Sequence, residues 1–429
     1  MVRRTLIALL LMSMVPLAST VTAGSSPGTG RYIVVLKDSA TAGTVAHQLT
    51  GLGASVQGLF GGLNSLLVSL PVLKLGALQN DPRVAYVAAD RPMHALVEPA
   101  PTGVTRIGAA PRLEPNGTLF TGPTPTAAVA VIDTGIYNHP ELNIAGGVNC
   151  AKDDLLGNLL GGGGFSDNNG HGTHVSGIIG AKADGQGVVG VAPGTPLYAV
   201  KVFSALGSGS LSNVICGLDW VAQNAAAKNI KVVNMSLGGD GTDDGACGTK
   251  DQDPFHAAVC KVVKAGVTVV AAAGNDHVDL VKSVPAAYDE VLTVSAMADF
   301  DGLPGGKAAG TTCSTKGTDD TAATFSDFAL PGGPDVGHTI SAPGVCIYST
   351  WNDGGYKSIS GTSMASPHVA GAVARCIDAG PCAGLTPSQI IAKMRADAAA
   401  RPAASGFFGD THNPVAGKYY GDLIDTSAY

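Results

Sequence analysis

From about residue 125 onward, apolar runs alternate with segments that repeat at a helical period. The runs contain few polar residues, which is typical of strands that lie in a parallel sheet covered on both faces. The predicted strands are AAVAVID, LYAVKVF, VVNMSLG, VTVVAAAG and VLTVSAM, and the predicted helices span residues 172–183, 211–228, 256–265 and 363–379. This alternation predicts an α/β domain with a mostly parallel sheet and helices on both faces.

Residues 31–96 show a different pattern, in which short strands and helices follow one another. RYIVVLK, SLLVSLP and RVAYVAAD are predicted strands, TAGTVAHQL and VLKLGALQN are predicted helices, and residues 54–60 supply a further strand. This order predicts a small α+β domain of the split βαβ, ferredoxin-like type. A proline-containing linker follows it, so we expect a mature N-terminal segment at 97–124, the main domain at 125–400 and a tail at 401–429.

The first residues of the chain have the composition of a targeting segment. Arg3 and Arg4 precede an apolar stretch from Leu6 to Val15, and small residues end the segment at Ala23. This pattern is typical of a secretory signal peptide at 1–23, although an uncleaved membrane anchor would begin in the same way. We therefore expect a secreted, extracellular protein that has no membrane partner once the signal is removed.

All eight cysteines lie beyond residue 149, and an even number in an exported chain favours disulfides over free thiols. Two pairs are close enough in sequence to close small loops, and two longer pairings would then remain, although many other connectivities are possible. The pairs are Cys247 with Cys260, Cys376 with Cys382, Cys150 with Cys216, and Cys313 with Cys346. No C-x-x-C occurs in the sequence, which argues against a structural zinc site.

The charge and composition of the chain limit the kinds of molecule that it can bind. Only 14% of the residues are charged, the net charge is −7, and no basic stripe occurs. This argues against nucleic acid as a partner. The hydrophobic fraction of 45% and the 59 glycines are typical of a compact globular chain with many tight turns.

Polar residues follow or interrupt the apolar strands and are candidates for chemistry. Asp133 ends AAVAVID, where a buried carboxylate needs a partner, although a turn-forming Asp is the alternative. His171 and His174 lie one helical turn apart, but the glutamate of an H-E-x-x-H zinc motif is missing between them. The glycines beside His171 predict a close approach of the backbone to substrate. His256 and His368 are interpreted as structural.

Ser363 in GTSMASPHVAG is either a helix-start residue or a nucleophile. A serine hydroxyl attacks only with a base beside it and a third group that orients the base. Ser363 can serve as the nucleophile, His171 as the base and Asp133 as the group that orients the base. Asn275 follows a buried strand, and its amide can stabilise an oxyanion together with a backbone N–H at a helix start, unless it is a simple turn residue.

Five blocks of sequence then combine into a resemblance. AVIDTGIYNHPEL, HGTHVSG, NMSLGG, AAAGN and GTSMASPHVAG resemble the signature blocks of the subtilisin family of serine peptidases, in that family's order, across residues 103–398. The resemblance implies a subtilisin-like fold and a serine endopeptidase. Asp133 matches the triad aspartate, His171 the general base and Ser363 the nucleophile, and Asn275 matches the oxyanion-hole amide.

The resemblance also implies substrate-binding residues and a maturation route. Ser236, Leu237 and Gly238 match the edge that binds the substrate backbone, and residues 207–210 match the opposite edge. One wall of the primary specificity pocket matches Ala272, Ala273 and Gly274. Residues 31–96 resemble the inhibitory propeptide, which acts as an intramolecular chaperone and inhibitor and is removed by self-cleavage, here near residues 94–98. Protein substrates and a monomeric enzyme are expected.

A structural calcium ion with no catalytic role is the cofactor implied by the resemblance. The matching carboxylates are Glu141 and Asp184, and the matching carbonyls are those of Lys182, Gln186 and Val188, which suits a hard cation. A surface glutamate and a turn-forming Asp-Gly are the alternative. Thr339 stands where a second calcium site of the family often has an aspartate, so a second family site is not expected.

Two rival functions predict other sequences. A secreted esterase or lipase predicts a G-x-S-x-G motif around the nucleophile and the chain order Ser, Asp, His, whereas Ser363 stands in GTSMA and the three candidates occur in the opposite order. A non-catalytic protein on the same fold predicts a missing triad or oxyanion residue, and none is missing. The sequence therefore favours the peptidase.

Overall fold

The structure is a computed structural model that describes residues 29–37, 40–51, 53–90, 100–113, 119–151, 164–308 and 316–429. The expected signal peptide, the expected cleavage site near residues 94–98 and Cys313 lie outside these residues. The chain divides into two compact units, 1–96 and 97–429, which are considered one at a time. Within the described residues, none of the helices has the length and hydropathy that a bilayer crossing requires.

The first unit is a four-stranded antiparallel sheet with two helices. Its elements in chain order are β1 (Thr29–Leu36), α1 (Ala42–Thr50), β2 (Ser55–Phe60), β3 (Ser65–Pro71), α2 (Leu75–Gln79) and β4 (Val84–Ala89). The strands lie in the order β2-β3-β1-β4, and all three pairings are antiparallel. Its core includes Val34, Leu66 and Val68, which are fully buried. This confirms the predicted split βαβ arrangement.

The second unit holds the remaining elements. Its strands are β5 (Arg112–Leu113), β6 (Leu119–Phe120), β7 (Ala128–Asp133), β8 (Ile144–Asn149), β9 (Leu197–Lys201), β10 (Ile230–Met235), β11 (Gly239–Asp240), β12 (Thr268–Ala272), β13 (Ser283–Val284), β14 (Val291–Ala298), β15 (Thr321–Ala322), β16 (Thr339–Pro343), β17 (Ile347–Thr350) and β18 (Tyr356–Ile359). Its helices are α3 (Thr102–Arg106), α4 (His171–Gly180), α5 (Leu211–Asn224), α6 (Pro254–Lys264), α7 (Thr362–Ala379) and α8 (Pro387–Ala399).

The central sheet runs in the order β8-β9-β7-β10-β12-β14, with every neighbouring pair parallel. Strand β14 also pairs with β16 in parallel and with the short β15 in antiparallel orientation. Successive residues of β7 point to opposite faces. Ala130 and Ile132 pack in one core with residues of α5 and α6, and Val131 packs in another with residues of α4 and α7. Because both faces are buried, the strand is apolar throughout, which confirms the predicted α/β class.

Three disulfides join described residues: Cys150–Cys216, Cys247–Cys260 and Cys376–Cys382. These confirm three of the four predicted pairings. Cys346 is also disulfide-bonded. Its pairing with Cys313 stays a prediction, because Cys313 lies outside the described residues.

Two segments differ from the expectations. Helix α8 was not predicted, although Thr386 and Gln389 form a reciprocal capping box at its start. Residues 401–429 are not a detached tail, since Leu423 and Ile424 are buried in the same core as α7. Apolar residues are sparse in this last segment, so its pattern alone did not indicate packing.

Candidate active site

Three candidate residues lie at the same edge of the sheet. Asp133 is the last residue of β7, Ser236 directly follows β10, and Asn275 comes shortly after β12. These strands are neighbours and parallel, so their carboxyl ends meet at one edge. In parallel α/β sheets, this edge is where ligands bind.

Asp133 and His171 form the best-defined contact at this edge. The Nδ1 atom of His171 lies 2.9 Å from both carboxylate oxygens of Asp133, which is fully buried. Burial opposes the charged imidazole, but the negative charge of Asp133, its hydrogen bond to the ring and the charge of Asp167 together outweigh burial and raise the pKa of His171 above its ordinary value. The carboxylate favours a proton on Nδ1, so Nε2 of the neutral ring is left as a proton acceptor.

Asp167 holds the start of α4, where His171 is the first residue. Its Oδ1 accepts the backbone N–H of Gly170 at 2.9 Å, and its Oδ2 accepts the backbone N–H and the hydroxyl of Thr173 at 3.0 and 2.6 Å. Asp167 was not predicted from the sequence. An aspartate shortly before a helix start was the available signal.

The glycines beside His171 are closely packed against protein atoms. Gly170 has φ +113°, and a Cβ there would lie 2.4 Å from the ring of Trp351. A Cβ on Gly172 would lie 2.2 Å from the carbonyl oxygen of Gly135. Both glycines therefore make room for protein atoms.

His174 points away from Asp133 into the core. Its Nε2 lies 3.0 Å from the carbonyl oxygen of Ile347 and 2.9 Å from that of Lys357, and burial lowers its pKa to about 4. Among the described residues, neither His171 nor His174 belongs to a cluster of side chains that could share a metal ion. The paired-ligand alternative therefore has no support.

Ser363 is the second residue of α7 and lies above a buried polar network. Its hydroxyl donates to the carbonyl oxygen of Ser236 at 3.3 Å, while the Ser236 hydroxyl donates to the carbonyl oxygen of Ser363 at 2.8 Å. Ser366 is fully buried and donates to the side chain of Asn234 at 2.6 Å. Of the two serines in SMAS, Ser363 is the one that is partly exposed.

Asn275 presents its amide nitrogen to solvent beside this helix. Its Oδ1 accepts the backbone N–H of Thr362 at 2.9 Å and the Thr362 hydroxyl at 3.1 Å. These bonds assign Oδ1 to the helix side, and within the described residues Nδ2 makes no hydrogen bond. Asp327 holds the loop in place, because its Oδ1 accepts the N–H groups of Asp276 and Val278. Asp327, like Asp167, was not predicted from the sequence.

The residues expected to bind substrate line two adjoining cavities. The first, of about 390 Å³, is lined by Leu237, Gly238, Ala272, Ala273, Gly274, Asn275 and Ser363, among others. The second, of about 490 Å³, lies between Gly209–Leu211 on one side and Leu237–Thr242 on the other. Ser236 lines neither cavity. Residues 207–210 do not form a strand.

The residues expected to bind calcium are brought together only in part. The backbone N–H of Lys182 donates to the carbonyl oxygen of Glu141 at 2.9 Å, so the 182–188 loop contacts Glu141. Glu141 Oε1 accepts the hydroxyl of Tyr356 at 2.9 Å. Asp184 is exposed, and its Oδ1 accepts the backbone N–H of Gln186 at 3.1 Å. One oxygen of the Asp184 carboxylate thus bonds to its own loop, and the calcium ligand set stays a prediction.

A sequence model of the Subtilase family matches residues 125–411 of the chain. The chain belongs to the subtilase family. It is 34% identical to Subtilisin E of Bacillus subtilis (strain 168) over 366 residues, which cover 84% of this chain and 83% of that protein. It is also 36% identical to an alkaline protease of Alkalihalobacillus alcalophilus over 309 residues, which cover 72% and 68% of the two chains.

A solved structure of a subtilisin-like proteinase is similar to this subtilase. The crystal structure of a cold adapted subtilisin-like serine proteinase matches with a TM-score of 0.54 and 30% identity, and it covers 76% of this chain and 98% of the other. The subtilase is therefore a serine endopeptidase with a subtilisin-like α/β fold, as the sequence predicted.

Proposed function

We propose that this subtilase cleaves proteins through an acyl-enzyme on Ser363, with His171 as the general base and Asp133 as the residue that orients it. The contact between His171 Nδ1 and both oxygens of the buried Asp133 carries this proposal. A histidine held in this way presents Nε2 as a proton acceptor, which is the form that a serine nucleophile requires.

The reaction is an acyl transfer followed by hydrolysis. The Ser363 hydroxyl leaves its hydrogen bond with the Ser236 carbonyl and donates to His171 Nε2 instead. It transfers its proton to Nε2 as its oxygen bonds to the carbonyl carbon of the peptide. His171 then passes the proton to the leaving amine as the C–N bond breaks. Water attacks the resulting ester, His171 accepts a proton from it, and that proton returns to Ser363 as the acid product leaves.

Asn275 Nδ2 and the backbone N–H of Ser363 stabilise the oxyanion in this proposal. The Thr362 N–H holds Asn275 Oδ1 at 2.9 Å, which turns the amide nitrogen outward. The Ser363 N–H lies in the first turn of α7, where backbone donors and the helix dipole favour negative charge. Neither donor has a hydrogen-bond partner within the described residues, so both are available.

Casein hydrolysis with and without an active-serine phosphonate tests this function. We expect the processed protein to cleave casein, the phosphonate to abolish cleavage, and one equivalent of phosphonate to be attached at Ser363 by mass spectrometry. A Ser363→Ala protein should be inactive and unlabelled. A folded, processed protein that does not cleave casein would contradict the proposal.

We propose further that residues 31–96 are a propeptide that assists folding and blocks the cleft until self-cleavage near residues 94–98. The split βαβ fold of this unit and its resemblance to subtilisin-family propeptides support this role. A Ser363→Ala precursor made in the absence of other peptidases should stay full length. Appearance of the short form in that preparation would refute self-cleavage, and N-terminal sequencing of the wild-type protein would locate the cut.

Secretion of the mature enzyme is supported by the N-terminal sequence and by the disulfides. Three disulfides between described residues are typical of an oxidising compartment. We expect the mature form in the culture medium of the source cell, and deletion of residues 1–23 should retain the precursor inside the cell.

A structural calcium ion held by Glu141 and the 182–188 loop stays a prediction of the resemblance. The Gln186 N–H uses one lone pair of Asp184 Oδ1, so the carboxylate keeps capacity to bind an ion there. Loss of calcium-dependent thermal stability in an Asp184→Asn variant would support this site. An unchanged response to calcium would exclude it.

A further inference from the structure

A second group of acidic residues lies outside the active site, in the loop that follows β14. Asp299 directly follows this strand, Asp301 comes two residues later in a D-x-D-G sequence, and Asp319 lies where the chain returns. One oxygen from each of the three carboxylates lies within 4.8 Å of the other two. Asp299 and Asp319 are buried and Asp301 is exposed, so the group opens to solvent on one side.

The carboxylate of Asp299 is not satisfied by the protein. The residue is 1% exposed, and its Oδ1 accepts the backbone N–H of Gly302 at 3.0 Å. Its Oδ2 is also buried and accepts no hydrogen bond from any described residue. A carboxylate oxygen in this position requires a cation or a proton, because burial of an unpaired charged group is strongly unfavourable.

The nearby guanidinium does not meet this requirement. Arg106 donates to Asp320 Oδ1 through Nε at 3.0 Å and Nη2 at 2.8 Å. Its remaining hydrogen bonds go to the backbone carbonyl oxygens of Ser405 and Gly406. The neighbouring Asp320 therefore uses the charge of Arg106, and the three other carboxylates are left close together without a cation among the described side chains that touch them.

Backbone groups hold the other two carboxylates without using all their acceptor positions. Asp319 accepts the N–H of Phe300 at 2.8 Å through Oδ1 and that of Ala308 at 2.9 Å through Oδ2. Asp301 Oδ1 accepts the N–H of Leu303 at 2.9 Å. Each carboxylate oxygen has two lone pairs, so these bonds orient the group and leave capacity for a further ligand.

We propose that Asp299, Asp301 and Asp319 bind a calcium ion. All the donors are oxygen atoms, which favours a hard cation over zinc or copper. Ca²⁺–oxygen distances are about 2.3–2.6 Å, so oxygens around one ion lie at most about 5 Å apart, as these do. Backbone carbonyls and water would complete the coordination. Calcium suits the site better than magnesium because three carboxylates on a loop do not impose a compact octahedron.

The ion would join the two ends of a long loop. Asp299 begins the loop and Asp319 closes it, and the adjacent Asp320 is bound to Arg106 at the end of α3. Cross-linking these segments stabilises the loop against unfolding and proteolysis. The site is separate from the 182–188 loop, so the two calcium predictions can fail independently.

Calcium binding to the full-length Ser363→Ala protein, which cannot digest itself, tests the proposal. After removal of metal by a chelator, equilibrium dialysis with radioactive calcium gives the number and affinity of sites. We expect Asp319→Asn to lose one bound ion and the exposed Asp301→Asn to weaken that site roughly tenfold or more. Asp251→Asn, an exposed loop acid outside the group, should bind as the parent does, and Asp184→Asn should keep this ion.

Thermal unfolding gives a second readout through Trp220 and Trp351, which both lie in the 97–429 unit. Calcium should raise the unfolding midpoint of the parent and of Asp251→Asn, and should raise that of Asp301→Asn less at the same concentration. Equal calcium binding by the parent and both ligand variants would overturn the proposal, as would a parent that binds no calcium. Either result would mean that Asp299 holds a proton instead.

Discussion

The side-chain oxygen of Asn275 accepts the backbone N–H of Thr362 at 2.9 Å, at the first residue of α7. The bond fixes which end of the amide faces the helix, and within the described residues the nitrogen makes no hydrogen bond. If this nitrogen stabilises an oxyanion, Asn275→Leu should lower kcat by about 10²–10³-fold with little change in KM. Initial rates measured over a range of concentrations of a chromogenic peptide give both constants.

Thr362→Val is the matched control for this prediction. It removes the hydroxyl that reaches Asn275 Oδ1 but keeps the backbone N–H that orients the amide. We expect a loss in kcat of less than about tenfold, because the donor itself is retained. A loss as large as that of Asn275→Leu would show that the effect of Asn275 is structural.

Replacing Asp133 with Asn should lower kcat by roughly 10⁴-fold, the cost of losing the same carboxylate in the serine peptidases where it has been measured. The amide favours the wrong tautomer of His171 and does not stabilise the imidazolium. Active-site titration with a phosphonate should still give one slow-reacting equivalent, which shows that the fold persists. A kcat within tenfold of wild type would remove Asp133 from the triad.

The pH dependence of kcat/KM should report His171. Its pKa is raised by Asp133, and the base must be neutral to accept the Ser363 proton. Activity should therefore rise with pH through an acidic limb whose midpoint lies above the ordinary histidine value of about 6.5. In Asp133→Asn, the residual activity should show this limb at lower pH. A limb that does not move would mean that another group is being titrated.

Alanine substitution at Ser366 should lower stability but not activity, and at Ser363 it should do the opposite. Ser366 is fully buried and donates to Asn234 at 2.6 Å, so Ser366→Ala leaves a buried acceptor unsatisfied and should cost about 1–3 kcal/mol of unfolding free energy. Its kcat should change little. Ser363→Ala should abolish activity and leave stability nearly unchanged. Denaturant unfolding of Ser363→Ala with and without Ser366→Ala measures the first difference.

Acid should destabilise the catalytic unit through two buried histidines. Burial lowers the pKa of His174 and of His368 to about 4, whereas the unfolded value is about 6.5. The unfolded chain therefore binds more protons between these values, so stability present above about pH 6.5 is lost as the pH falls towards 4. The unfolding midpoint of Ser363→Ala should drop over this range. His174→Gln should show a shallower drop, and an equal slope would exclude His174 as a contributor.

Much of the fold follows from local pattern. The central strands β7, β10 and β12 were predicted because burial on both faces requires almost every residue of each strand to be apolar. Helix α8 was missed because its sequence carries a capping box but no long apolar stripe. The role of residues 401–429 was also missed, since their few apolar residues pack only against distant elements.

The residues of the site were predicted less completely than the strands of the central sheet. Asp133, His171, Ser363 and Asn275 were found through blocks of sequence around each one. Asp167 and Asp327 were missed, although each holds one of those blocks in place through backbone N–H groups. Most of their partners are backbone N–H groups, which leave no trace in the residue types of a sequence.

By itself, the sequence determined the two kinds of sheet and the set of residues able to perform serine peptidase chemistry, and it favoured the two short-range pairings Cys247–Cys260 and Cys376–Cys382. These depend on periodicity and on short-range spacing. Only the tertiary structure decided that His171 and not His174 meets Asp133, that Ser366 is buried beneath Ser363, and that Asp299, Asp301 and Asp319 converge. The physical reason is that such contacts join residues far apart in the chain, and their distances are set by the packing of whole strands and helices.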